Sequence, residues 1–231
     1  MNYFGHAAVS SWSDASPARA LGAMLPDFAG MLGAKLADGS DREIADGIAL
    51  HHATDHVFHT LAPVVALMKD LDAQLDQLGC ARGPRRAVAH VGVELLLDGV
   101  LVADEAYRAI YSAALACDPA RVSWQTADDA ARFTILVDRL RGYGVPDDLR
   151  DPGAITSRLA RILAPRPLLA PSPSDLRAIG TALADHQRRV TIATETVLRG
   201  LRVQIAQLRP AATRDADGRE NPAASSPASR R

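Results

Sequence analysis

Residues 47 to 60 read GIALHHATDHVFHT, and within them His51, Asp55 and His59 stand four residues apart. On a helix, steps of four put successive side chains on one stripe, each about 40° round from the last. His52 and His56 lie on a neighbouring stripe. A later stretch, HVGVELLLDGVLV, repeats the spacing with His90, Glu94 and Asp98. Asp98 is the sharper signal, because Leu95, Leu96, Leu97, Val100 and Leu101 surround it and no cation occurs from Val91 to Ala103. A buried carboxylate without a partner costs several kcal/mol, so something positive must answer it. Two more polar residues sit in apolar settings: His6 after Tyr3 and Phe4, and Asp27 between Pro26 and Phe28. Mixed imidazole and carboxylate ligands suit manganese, iron or zinc rather than calcium. An ion with an open position can activate water for attack on phosphorus and neutralise charge on the phosphoryl oxygens.

Such a set must be carried on helices, and the sequence predicts an all-α chain. A short helix or extended entry leads to a Ser-rich turn between Ser10 and Pro17, then to a helix through LGAMLPDFAGML that Pro26 should kink or restart. Asp38 to Asp41 form a turn with an N-cap, and a long helix with a polar middle follows from Arg42 to about Leu61. Further helices are expected at Pro63 to Leu78, Pro84 to Val102, and roughly 104–116, 124–142 and 153–163. The proline-rich APRPLLAPSP is a stiff connector, after which a long helix runs from Ser174 to Leu208. Residues 1–209 form one multi-helix domain, and 210–231, which hold no large apolar residue, form a disordered tail.

Composition narrows the classes. Hydrophobic residues make up 48% of the chain and aromatics 4%, so the apolar content is aliphatic and favours packed helices. The formal net charge of -1 provides no global field for nucleic acid, and the arginine clusters are not interleaved with aromatics. No leader-like start and no apolar run of membrane length is visible, and Cys80 and Cys117 lack metal or redox spacing. A cytoplasmic protein with free, buried thiols is expected.

The order of the polar residues resembles that of the acyl carrier protein phosphodiesterases, distant relatives of the HD-domain metal-dependent phosphohydrolases. The opening is like MNxxxH (Met1, Asn2, His6), followed by GxxxxDF (Gly22 to Phe28), GIxxHxxxD (Gly47 to Asp55) and a helix with acidic residues four apart (Glu94 and Asp98). The likeness covers roughly the first 105 residues. It implies an HD-like helical bundle and a divalent ion, usually manganese. It also implies hydrolysis of the phosphodiester that joins 4′-phosphopantetheine to holo acyl carrier protein. The matching metal positions are His6, Asp27, His51, Asp55 and Asp98, with Glu94 as a sixth, and His51 and Asp55 are the catalytic pair.

Four positions depart from the family pattern: His52 stands where arginine is usual, Thr54 where isoleucine is, His59 where aspartate is, and Gly99 where histidine commonly follows the second-helix aspartate. They imply a metal centre that persists while groups contacting phosphate or substrate have changed. His52, His56 and His186 read as ordinary hydrogen-bonded or surface histidines, and His90 as structural; His59 stays open. Asp98 could instead be answered by an arginine. Arg82, Arg85 and Arg86 are either a solvated turn or a positive patch that meets an acidic carrier protein. The expected function is a metal-dependent phosphodiesterase. The alternatives are a helical binding or scaffold protein that lost turnover and a phosphohydrolase for a small phosphate ester or nucleotide.

Overall fold

Side-chain caps set where most helices start. Ser16 accepts from the Arg19 N–H at 3.3 Å, Asp41 from Ile44 at 3.0 Å, Asp104 from Ala106 at 2.8 Å, and Thr126 from Asp129 at 3.1 Å. Glycines in the left-handed region close others, Gly33 (φ 59°) and Gly79 (φ 76°) among them. The computed structural model describes residues 1–13 and 15–208. The helices are α1 (Tyr3–Ser10), α2 (Pro17–Leu32), α3 (Arg42–Thr60), α4 (Ala62–Gln77), α5 (Arg82–Leu101), α6 (Glu105–Ala116), α7 (Ala127–Tyr143), α8 (Pro152–Leu163) and α9 (Pro173–Leu208). Short 3₁₀ turns occur at Pro119–Arg121 and Asp147–Arg150. The all-α class is as expected, in a single domain with one contiguous core.

Pro26 does not restart α2, and two helix starts differ from the sequence expectation for a local reason. Helix α2 runs uninterrupted through Pro26, which contributes no N–H to the ladder yet does not end the helix. Helix α5 starts at Arg82 rather than Pro84, because the Ala81 N–H is held by Asp175 Oδ1 at 2.8 Å, so the chain is already placed when it reaches the proline. Helix α7 starts at Ala127 rather than 124, because Trp124 is used in an isolated antiparallel bridge with Leu36. Gln125 N–H donates to Lys35 O at 2.9 Å, and Ala37 N–H to Ser123 O at 3.0 Å. The stretch 210–231, read above as a tail, lies outside the described residues.

Packing is aliphatic, with the few aromatics concentrated where α1, α2, α6 and α7 meet. Tyr3 lies 5.6 Å from Phe28, Phe4 5.2 Å from Tyr111, and Trp124 5.0 Å from Phe133, centroid to centroid. Helix α9 buries Ile179, Leu183, His186, Val190, Thr194, Val197, Leu201 and Ile205, a stripe recurring every three or four residues that lies against α4, α5, α8 and α3. Burying one such leucine or isoleucine contributes about 1.5–3 kcal/mol. Both cysteines are free; Cys80 is buried as expected, whereas Cys117 is half-buried. No helix among the described residues is long and apolar enough to cross a membrane.

Candidate metal centre

The site begins at the crossing of α2 and α3, where two glycines let the backbones touch. A Cβ on Gly22 would lie 2.2 Å from the Ile44 carbonyl oxygen, and one on Gly47 2.2 Å from that of Arg19. No side chain fits in either place, so Gly22 and Gly47 fix how closely the helices approach. His51 follows Gly47 by one turn and therefore meets Ala23, the residue after Gly22. Its Nδ1–H donates to the Ala23 carbonyl at 2.9 Å. That bond settles the tautomer and leaves Nε2 as a lone pair, the arrangement of a metal-binding imidazole oriented by a main-chain carbonyl.

Helix α1 brings His6 onto His51, with ring centroids 3.9 Å apart and planes at 28°. His6 Nε2 lies 3.0 Å from the Met1 carbonyl oxygen and 3.2 Å from Asp55 Oδ1. A proton on Nε2 serves both acceptors, so Nδ1 is left as a lone pair, buried and without a partner. Burial lowers the His6 pKa to about 3, which keeps the ring neutral. Asp27, near the C-terminal end of α2, has a buried Oδ2 with no hydrogen-bond partner, and burial pushes its pKa up to about 8. His6, Asp27 and His51 each offer one ligand atom, all within 4.8 Å of one another. A buried, unpartnered Asp27 oxygen beside two neutral imidazoles, one of them oriented by a carbonyl, is a donor set that fits a divalent ion.

Asp55 borders this trio. Its Oδ1 accepts from the Met1 ammonium at 3.1 Å and its Oδ2 lies 3.5 Å from His51 Nε2. Its side chain is 35% exposed, the only carboxylate or imidazole among His6, His51 and Asp55 that reaches solvent to that degree. Burial works against its charge, but the hydrogen bond to His6 and the ammonium hold its pKa below the usual carboxylate range. The Met1 ammonium lies inside the cluster, also 3.5 Å from Glu94 Oε1. Burial disfavours its charge, yet Glu94, Asp55 and Asp98 together keep its pKa above the ordinary value.

Asp98 and Glu94 go to different places on α5. Asp98 is fully buried beneath α1, where a Cβ on Gly5 would lie 2.5 Å from its Oδ1. Neither of its oxygens forms a well-aligned hydrogen bond among the described residues, and burial raises its pKa well above normal. The positive group that acts on it is the Met1 ammonium rather than an arginine. It belongs to neither of the trios that could hold an ion. Glu94 forms the second trio: its Oε1 lies 3.1 Å from His59 Nε2 and 3.3 Å from His90 Nε2. Burial alone would raise its pKa, but the two histidines and the ammonium hold it below the usual range.

The remaining expectations fall as follows. His52 and His56 are exposed on α3, and His186 is fully buried on α9. Arg85 forms ion pairs with Asp72 and Asp76, so the positive charge at the start of α5 is carried outward by the exposed Arg82 and Arg86. Gly99 packs against the turn after α7, where a Cβ would lie 2.1 Å from the Leu149 carbonyl oxygen. A histidine there has no room, so glycine at this position has a local steric cause.

Two groups lie in the cluster beyond the sequence-expected site residues. The sequence reads His90 as structural, and the structure places it, by its i, i+4 spacing from Glu94, in a trio that could hold an ion. The Met1 ammonium had no sequence signal, since its position depends on how α1 docks. Compared with protein-family models, with curated proteins and with solved structures, the chain matches none.

Proposed function

We propose that this chain is a divalent-metal-dependent phosphodiesterase, related to the HD-type hydrolases, that releases 4′-phosphopantetheine from holo acyl carrier protein. The observation that carries this reading is the His6–Asp27–His51 trio, with its buried unpartnered oxygen and nitrogen and its carbonyl-oriented imidazole. The motif order from His6 to Asp98 supplies the substrate class. His6, Asp27 and His51 would hold the ion, manganese by the same resemblance. A divalent ion there supplies Lewis-acid charge to a phosphoryl oxygen and activates water at neutral pH.

The chain's own groups perform the rest. The Ala23 carbonyl keeps His51 in one tautomer and orientation. Asp55, ionised and open to solvent, accepts a hydrogen bond from an attacking water and orients it. Arg82 and Arg86 attract an acidic carrier protein; along α5 they lie about 12–18 Å from Glu94, within the footprint of a small folded partner.

The test supplies the full chain with manganese and follows holo carrier protein by mass spectrometry. Conversion to the apo form, release of 4′-phosphopantetheine and abolition by a chelator are expected. Intact holo protein at high enzyme concentration, with metal demonstrably bound, would show that the substrate is a different phosphodiester or phosphate ester.

A further inference from the structure

The second trio lies on the solvent side of the cluster. His59, on α3, and His90 and Glu94, on α5, bring Nε2, Nε2 and Oε1 to mutual distances of 3.2, 3.1 and 3.3 Å. Ligands placed about 2.0–2.1 Å from a tetrahedral ion are separated by about 3.3–3.4 Å, so the triangle has the edge length of one face of such a site. His59 Nδ1–H donates to the Asp55 carbonyl at 2.8 Å, which leaves Nε2 of the neutral ring as a lone pair. This is the same main-chain orientation that fixes His51. No such bond fixes the tautomer of His90 among the described residues, so a proton on its Nε2 answers Glu94 in the metal-free chain, and a divalent ion would displace that proton and take all three atoms as ligands. The Met1 ammonium, 3.5 Å from the same Glu94 oxygen, answers part of that carboxylate's charge.

We propose that His59, His90 and Glu94 form a second divalent-ion site, separate from the His6–Asp27–His51 centre, that takes a borderline ion of the zinc class and keeps one position open to solvent or an anion. Two imidazoles and one carboxylate suit zinc better than magnesium or calcium, and three protein ligands leave the fourth tetrahedral position free. The side chains of His59 and His90 are 31% and 50% exposed, so an ion reaches them directly from solvent. The two rings lie parallel, at 7°. Half-exposed His90 has room to turn about its side-chain torsions and aim its lone pair at the ion. The site does not depend on the reaction proposed above.

The experiment strips the full chain with a chelator and titrates it with zinc by calorimetry, then with cobalt, whose tetrahedral complexes absorb strongly in the visible. His90→Ala and His59→Ala test the outer trio, Asp27→Asn the inner one, with helix content checked by circular dichroism; half-exposed His90 is the substitution least able to disturb folding. The His90 change should weaken one binding event by at least about 100-fold, at or beyond the upper end of the loss that removal of an outer-shell partner brings. The tetrahedral cobalt bands should disappear with it, while Asp27→Asn leaves them in place. Zinc and cobalt binding unchanged in both histidine variants would overturn the proposal and leave the inner centre standing. A single ion lost in His90→Ala but retained in Asp27→Asn would support the outer site and remove the inner one.

Discussion

Helix α5 has two unlike faces. On one, Gly92 lets α9 and α4 close in, and a Cβ there would lie 3.1 Å from Leu183 and 3.5 Å from Leu71. On the other, Glu94 and Asp98 meet α1 and α3 through carboxylates, imidazoles and the Met1 ammonium. The apolar face stabilises the fold through area removed from water and close packing. The polar face withdraws charge from water and leaves both Asp98 oxygens and one Asp27 oxygen without a well-aligned hydrogen bond among the described residues, which costs stability. A chain that needed only to fold would fill that space with leucine.

The contrast is sharpest in the pH dependence of the metal-free protein. Unfolded Asp27 ionises near its ordinary 3.8, and the folded residue near 8. Between those values the folded chain binds more protons than the unfolded chain, so stability should fall as pH rises, by at most about 1.4 kcal/mol per pH unit for this group. Asp98, also raised, adds to the fall. Asp55 and Glu94, both lowered, act oppositely: their stabilisation is present above the ordinary carboxylate range and lost as pH drops through it. His6, lowered to about 3, opposes this fall below the ordinary histidine value of 6.5, so urea titrations from pH 6.5 to 8 should show the decline, and Asp27→Asn should flatten it. A stability that rises across this window would contradict the burial of these carboxyls.

On the apolar face, Leu183→Ala should cost about 2–5 kcal/mol, read as a lower urea midpoint, with ion stoichiometry unchanged. Loss of bound metal from this variant would break the separation between the faces. Gly47→Ala joins the two effects, since its Cβ meets the Arg19 carbonyl and His51 lies one turn on. About 1–3 kcal/mol of destabilisation is expected, together with weaker ion binding at the inner trio. Unaltered metal affinity in a folded Gly47→Ala protein would uncouple the helix crossing from the site. The smallest effect belongs to the surface: Arg82→Glu with Arg86→Glu should shift stability by less than about 0.5 kcal/mol. The same pair should weaken association with an acidic carrier protein most at low salt.

Much of the architecture was legible in the chain because it rests on short-range rules. Capping residues such as Asp41 and Thr126, left-handed glycines such as Gly79, and the three-to-four-residue recurrence of apolar groups in α9 act within a turn or two of themselves. The stripe of His51, Asp55 and His59 is likewise a property of helix pitch, and so is that of His90, Glu94 and Asp98. Where those stripes point was decided by tertiary structure. The Gly22–Gly47 crossing set His51 against Ala23, and α1 carried His6 and the Met1 ammonium into the cluster. Docking of α5 then sent Glu94 to His59 and His90 while burying Asp98 beneath Gly5. Spacing along a helix fixes which side chains share a face, but not which face of another helix they meet. That depends on backbone approach distances and long-range packing, which no local stretch of sequence encodes.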